Sequence, residues 1–439
     1  DPQFPPQFFP LPVWRRTYPA GSLASNITGF VAEISEGELR QLAGEDYVAG
    51  DQVGKGGIEK YYENSLRGTP GEESVEVDAR GRKIRIIDMR PAGRGEDLHL
   101  TLDLGAQRLA GELMKGRRGA VVVMEAETGA VVVLQSSPSY DNNPLAWGVS
   151  SKEWNSLVTD PEKPMMDRCL SGMYPPASTF KALVALAGLV EKEITPSTTF
   201  YCSGEFRLGT RTFRCWKRSG HGTMNLVSAL SNSCDVYFYQ VGLKLGISRL
   251  LKWGNLFGLG RVSGIDLPGE VGGVVAGPEW KRSRFKESWY PGDTVNYSIG
   301  QGFLLLSPLQ IAGIYASIAN GGKLVRPHLS SKAEIFYEDL HLPDKDLDLV
   351  RKGLEYVVRR GTGRQAGGFG ITVAGKTGTA QNPHGEDHAL FAGYAPMEKP
   401  KYVAVAIVEE GQHGSSVASP IVGEILSYLL SPEGAGKKP

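Results

Sequence analysis

Two groups of Val-rich runs, separated by more than half the chain, constrain this sequence more than any other feature. Ala120 to Met124 and Ala130 to Leu134 flank Glu125-Ala-Glu-Thr-Gly129, a pattern that predicts a β-hairpin. Their unbroken apolar character predicts burial on both faces. Ile371 to Ala374, Ala389 to Tyr394 and Tyr402 to Val408 predict three more strands joined by short turns, and a helix from about Val417 to Leu430 follows. Between the two groups lie roughly 200 residues of mostly helical pattern. Strands at both ends with helices inserted between them imply one antiparallel sheet flanked by helices, an α+β fold. Just before the first hairpin, Asp97-Leu-His-Leu-Thr-Leu102 alternates like a strand. Asp103 then caps a helix running to about Lys115.

Roughly the first hundred residues read differently. Pro is dense in the first twenty positions, and Gly, Glu and Arg then surround short apolar stretches such as Ile84 to Met89. This predicts a loosely built β-rich module, residues 1–96, acting as a spacer or docking domain. Residues 97–432 form the second domain, and the polar tail 433–439 is expected to fray. A length of 439 residues suits two or three domains.

Composition excludes several classes. The 48 basic and 48 acidic residues balance, which argues against nucleic-acid binding. Four Cys in so long a chain cannot build a disulfide framework. The 56 Gly and 27 Pro make up under a fifth of the chain, below the low-complexity range of about 25–30%. No run approaches the roughly 20 apolar residues of a membrane span. The chain opens Asp1-Pro2 without Met, and the expectation is a processed piece whose anchor lay upstream.

Three short motifs carry chemistry. In Tyr174-Pro-Pro-Ala-Ser178-Thr-Phe-Lys181, the prolines bias an extended entry and the helix begins just after them. Ser178 and Lys181 then share a face at the start of an all-apolar, buried helix, Ala182 to Val190. A serine becomes a nucleophile when a base takes its proton, and a desolvated Lys can be that base. The helix N-terminus favours developing negative charge. Ser233-Cys-Asp235 offers a hydroxyl and a carboxylate two positions apart. Lys376-Thr-Gly378 lies on a predicted strand, where Gly lets a ligand approach the backbone. Gly370 to Thr377 also matches a phosphate-binding loop literally, but its centre, Ile-Thr-Val-Ala, is a strand sequence and no long helix follows.

In this order, S-x-x-K, S-x-[N/D] and K-T-G are specific to acyl-serine penicilloyl enzymes. The chain resembles the class B penicillin-binding proteins of the elongation type, penicillin-binding protein two. The resemblance extends to Arg15-Arg-Thr-Tyr-Pro-Ala-Gly-Ser-Leu-Ala24, Ser137-Pro-Ser-Tyr-Asp141, Asp293 to Gly302, Ser307-Pro-Leu-Gln310 and Asn382 to Ala389. It implies a penicilloyl serine transferase fold, a five-stranded antiparallel sheet flanked by helices, with an N-terminal β-rich pedestal. It implies a D,D-transpeptidase that crosslinks peptidoglycan stem peptides and is a target of β-lactams. Ser178 would attack a D-Ala-D-Ala donor, Lys181 would be the base, and Ser233 would relay a proton. Asp235 would bond near Lys181, where the wider family often has Asn. Lys376, Thr377 and Thr379, with Gly378 between them, would bind the substrate carboxylate, and the N–H groups of Ser178 and Thr379 would form the oxyanion hole. An amine acceptor would then take the acyl group. The resemblance also implies a single-pass inner-membrane anchor, a periplasmic location, no organic cofactor, and a RodA-type membrane glycosyltransferase docked on the pedestal. A D,D-carboxypeptidase or serine β-lactamase shares the three motifs, and a β-lactam-acylated sensor without turnover is the non-enzymatic alternative.

Cys202, Cys215, His221 and Cys234 cluster in sequence at spacings unlike a zinc finger. They can converge as a closed three-Cys, one-His zinc site bracing the active site through Cys234. Some elongation-type members resemble this, with zinc held by Asp, Asp, His and Cys. Buried free thiols and a Cys202–Cys215 disulfide are the other readings. Cys169 is left over as a structural residue.

Overall fold

The computed structural model describes residues 15–431. The frayed-tail expectation at 433–439 and most of the Pro-dense start lie outside these residues. The described chain divides into two compact units. One holds residues up to Asp97 together with Ser139–Pro161, and the other holds Leu98–Pro138 and everything from Glu162 onward. Ser139–Pro161 thus goes with the first unit rather than with the sequence around it.

The first unit is built from small pieces. Strands β1 (Val31–Glu33) and β2 (Gln52–Gly54) pair antiparallel, and helix α1 (Glu36–Gln41) follows β1. Ser35 caps α1 reciprocally with Glu38, whose carboxylate also takes Lys55. One small apolar cluster joins Ile34, Tyr47 and Val53 with Leu39 and Leu42 against them, and Ile27, Phe30 and Ile58 are buried elsewhere in the unit. A separate ribbon of β3 (Glu72–Val77) and β4 (Lys83–Arg90) lies open to solvent along nearly its whole length. Val77, Ile84, Ile86, Ile87 and Met89 are all exposed on it.

The second unit has the expected five-stranded antiparallel sheet. Helix α2 (Leu104–Leu113) starts from Asp103, whose side chain accepts the Ala106 N–H. Strands β5 (Gly119–Glu125) and β6 (Val131–Ser137) form the hairpin. Helix α3 (Lys181–Val190) is buried along almost all of its length. Four short strands follow, β7 (Thr199–Cys202), β8 (Glu205–Leu208), β9 (Arg211–Arg214) and β10 (Gly222–Asn225), with β7 paired to β10 and β8 to β9. Helices α4 (Asp235–Leu256), α5 (Pro308–Ala319) and α6 (Asp344–Arg359) are the longest of the helices that follow in the inserted part. Strands β11 (Ala374–Ala380), β12 (His388–Ala395) and β13 (Tyr402–Val408) and helix α7 (Ala418–Leu430) close the chain.

The sheet order is β11-β12-β13-β5-β6. Strands from the two ends meet at β13 and β5, where Val405 pairs with Val122. Val121, Ala406 and Phe391 share a register row and face α2 and α7. The alternate residues face the side where α5 packs. Both faces are therefore covered, which is why these strands read as continuous apolar runs.

Two predicted strands differ in extent from the expectation. Asp97 to Leu102 contributes only a single bridge, Leu100 to Ser330, because its neighbour there is an irregular segment. The strand expected from Ile371 begins at Ala374, since its partner β12 ends at Ala395 and is followed by Pro396, which has no N–H to give.

Candidate active site

The Pro175-Pro176 entry feeds a 3-10 turn, Ala177–Phe180, which runs straight into α3. Ala177 is held at φ 49°, a left-handed conformation unusual for a residue with a side chain. Its N–H is fixed by the Gly300 carbonyl at 2.8 Å. A side chain at Gly300 would lie 2.2 Å from the Ala177 carbonyl oxygen, so that position admits only glycine. Phe180 is buried against Tyr297, and the Tyr315 hydroxyl donates to the Thr179 carbonyl. Ser178, half-buried, is thus presented on a turn clamped from both sides.

Lys181 lies beneath it and is fully buried. Its ammonium donates to Asp235 Oδ1 at 2.6 Å, to the Ser233 carbonyl at 3.0 Å and to Ser233 Oγ at 3.3 Å. Ser233 itself is held at φ 53°. Three acceptors match the three N–H bonds of an ammonium. Among the described residues no hydrogen bond joins Ser178 Oγ to Lys181. Asp235 Oδ2 accepts the Trp216 N–H at 2.9 Å, and the Trp216 indole donates to the Asn232 carbonyl at 3.0 Å. The Trp216 ring itself remains largely exposed.

The third segment arrives on β11. Lys376 is fully buried and donates to the Thr377 carbonyl at 3.0 Å. Burial pushes its pKa well below 10.5, and the nearby Lys181 charge pushes it further, against the pull of Asp235. One carboxylate therefore serves two buried lysines. Gln301 ties the strand to the loop behind Ser178 by donating to the Thr379 carbonyl at 3.1 Å. The three sequence motifs, which lie nearly 200 residues apart, thus converge on one place.

Two residues that the motif reading passed over also belong here. Trp216 was hidden because its link to Asp235 runs through its backbone N–H, which no motif records. Thr362 has its hydroxyl 2.7 Å from that of Thr377. Its one sequence signal is the Gly361-Thr-Gly363 triplet ahead of β11.

Behind Ser233 and Asp235 lies the cysteine group. Cys202 ends β7, Cys215 follows β9, His221 precedes β10 and Cys234 caps α4. Their donor atoms all lie within 4.8 Å of one another. All four cysteines are free thiols and buried, and Cys169 stands apart, its Sγ near the Val121 carbonyl. His221 Nδ1 sits 3.6 Å from Cys202 Sγ and 3.5 Å from Cys215 Sγ. A tetrahedral zinc with Zn–S of about 2.3 Å and Zn–N of about 2.0 Å would set N and S about 3.5 Å apart. A hydrogen bond from Cys234 pulls the Cys215 thiol below its usual range. The residues present fit the metal in donor type, number and spacing.

Comparison with known proteins follows the same lines. The penicillin binding protein transpeptidase domain family matches residues 119–427, and the penicillin-binding protein dimerisation domain family matches residues 5–100. The chain is 38% identical to the peptidoglycan D,D-transpeptidase MrdA of Haemophilus influenzae, over 96% of this chain and 70% of that protein. Among solved structures it is similar to the complex between penicillin-binding protein PBP2 and MreC from Helicobacter pylori, with a TM-score of 0.88 and 35% identity over 95% of this chain and 79% of that one. It is also similar to PBP2 of Pseudomonas aeruginosa in complex with WCK 5153, with a TM-score of 0.84 and 36% identity over 96% of this chain and 91% of that one.

Proposed function

The chain belongs to the penicillin-binding protein transpeptidases that carry a dimerisation domain, and from that membership we propose a peptidoglycan D,D-transpeptidase of cell elongation working through an acyl-serine on Ser178. The observation that carries this reading is the buried Lys181 ammonium, which gathers Ser233 and Asp235 directly beneath the strained turn of Ser178.

Acylation would join Ser178 Oγ to the carbonyl carbon of the penultimate D-Ala and break the peptide C–N bond. The Ser178 proton would pass to Lys181 and on through Ser233 Oγ to the leaving D-Ala amine. An amine that accepts a proton needs a free lone pair, and the three bonds now made by Lys181 leave none. Its spare proton must first move to an acceptor, and Asp235 Oδ1 is the nearest. The N–H groups of Ser178 and Thr379 would hold the oxyanion. Lys376, Thr377 and Thr379, on either side of Gly378, would receive the terminal carboxylate of the donor. An amine of a second stem would then attack the ester, form the crosslink and return the proton to Ser178. A β-lactam would stop at the first step. Labelled penicillin tests this reading. A long-lived covalent adduct is expected, whereas rapid release of hydrolysed drug would replace the transpeptidase with a β-lactamase.

The proposal includes a structural zinc on Cys202, Cys215, His221 and Cys234, and no organic cofactor. Its role would be to brace Cys234, and with it Ser233 and Asp235 on either side. One zinc per chain in purified protein is the expected result, and its absence would remove the metal.

The first unit would act as a pedestal. Its solvent-exposed β3–β4 ribbon supports docking of a RodA-type membrane glycosyltransferase, and the related PBP2 was solved with MreC. Peptidoglycan lies outside the inner membrane, so the proposed site of action is the periplasmic side, with a single-pass anchor. Among the described residues no helix is long and apolar enough to cross a membrane.

A further inference from the structure

Between α6 and β11 the chain passes through Gly361-Thr362-Gly363. This turn is pressed against the segment that carries Ser233. A side chain at Gly361 would lie 2.2 Å from the Ser231 carbonyl oxygen, and one at Gly363 would meet Phe391 and Val357 at 3.0 Å. The Thr362 N–H donates to the Ser231 carbonyl, and the Ser231 hydroxyl donates back to Tyr356 at the end of α6. From this anchored position Thr362 Oγ1 reaches Thr377 Oγ1 at 2.7 Å. Thr362 thus bonds both the strand segment Lys376-Thr-Gly378 and the loop leading to Ser233.

The hydroxyl pair has a directional consequence. A hydroxyl gives one proton and accepts two. Either threonine can donate to the other. Lys376 Nζ lies 3.5 Å from Thr377 Oγ1 and presents a second donor toward it. A carboxylate only accepts. If Thr377 is to bind one, its proton must point outward, and both its acceptor positions must face donors. Thr362 on one side and Lys376 on the other supply those two donors.

We infer that Thr362 is a positioning residue that donates to Thr377 and thereby aims the Thr377 proton at the terminal carboxylate of the ligand. This rests on the acyl-serine reading above. Thr362 itself need not touch the ligand. Its role is selectivity for an anionic terminus, set from the turn that also holds the Ser233 loop.

The test uses Thr362→Val, which keeps the shape and removes the hydroxyl, and Thr362→Ser, which restores it. The readout is the ratio of acylation rate constants for a penicillin with its free carboxylate and for the same penicillin as its methyl ester. A hydrogen bond to a charged group is worth enough that this ratio should fall about tenfold in Thr362→Val. It should recover in Thr362→Ser. Loosening of the strand would slow both compounds alike and leave the ratio unmoved, which would overturn the inference. An unchanged ratio with Ser178 still acylated refutes this role alone. Failure to acylate Ser178 in the unaltered protein refutes the reading beneath it.

Discussion

Removing the Asp235 carboxylate should cost more than any other single polar change in the site. Asp235 Oδ1 holds the Lys181 ammonium at 2.6 Å, and the Lys181 side chain has no exposed surface. Its other oxygen holds the Trp216 N–H at 2.9 Å. Asp235→Ala strands a buried cation, and breaking a buried pair from one side costs about 3–5 kcal/mol. That is within the usual reserve of about 5–15 kcal/mol, so the variant should still fold. Asp235→Asn should cost less, about 1–3 kcal/mol, because one amide oxygen can still accept. Its amide nitrogen, however, faces either Lys181 or the Trp216 N–H, two donors in opposition. The paired change Lys181→Met with Asp235→Leu removes both charges and should cost no more than Asp235→Ala alone. Urea denaturation of the unaltered protein, Lys181→Met, Asp235→Leu and the double variant, read by circular dichroism, forms the cycle, with Asp235→Ala and Asp235→Asn measured beside it. Asp235→Ala within about 0.5 kcal/mol of the unaltered protein, or a double variant as costly as the two singles summed, would refute the reasoning.

Lys376 gives a pH-dependent prediction. Its folded pKa lies below 10.5, so the charged form is disfavoured in the fold. That penalty is full below the folded pKa and fades as pH rises toward about 10.5. Lys376→Met should therefore be inactive yet more stable than the unaltered protein at pH 7, with the gap closing by about pH 10.5. Denaturation at pH 7, 9 and 10.5 checks this, and a less stable variant at pH 7 contradicts it. Removing the proposed zinc with a strong chelator should expose three reactive thiols per chain, Cys202, Cys215 and Cys234, and slow penicillin acylation. Thiol titration and acylation kinetics on the same sample test the link.

The sheet was legible because both of its faces are covered. Val121 to Val123 and Val403 to Val408 are apolar without interruption, and Tyr402–Val408 was placed to the residue. The starts of the other strands were not, because Pro396 and the irregular partner of Leu100 act across the sheet rather than along the chain. The catalytic side chains were legible as short motifs, since S-x-x-K is a local pattern. That Asp235 bonds Lys181 followed from the resemblance, but the three-fold bonding that occupies every Lys181 proton was not legible. It depends on Asp235 and Ser233, which follow it by more than fifty residues. Trp216 and Thr362 escaped for the same reason, each joining the site from a segment with no motif. The exposure of the β3–β4 ribbon was not legible either, since Ile84 to Met89 reads as an apolar stretch and only the burial pattern shows it open to solvent.

Everything in the mechanism depends on which oxygen takes the acyl group. The unaltered protein, incubated with penicillin, digested and read by mass spectrometry, should carry one penicilloyl group, on the peptide containing Tyr174 to Lys181, with fragment ions assigning it to Ser178. Ser178→Ala should carry none. An adduct on Ser233, on a threonine of β11, or undiminished labelling of Ser178→Ala would contradict the account.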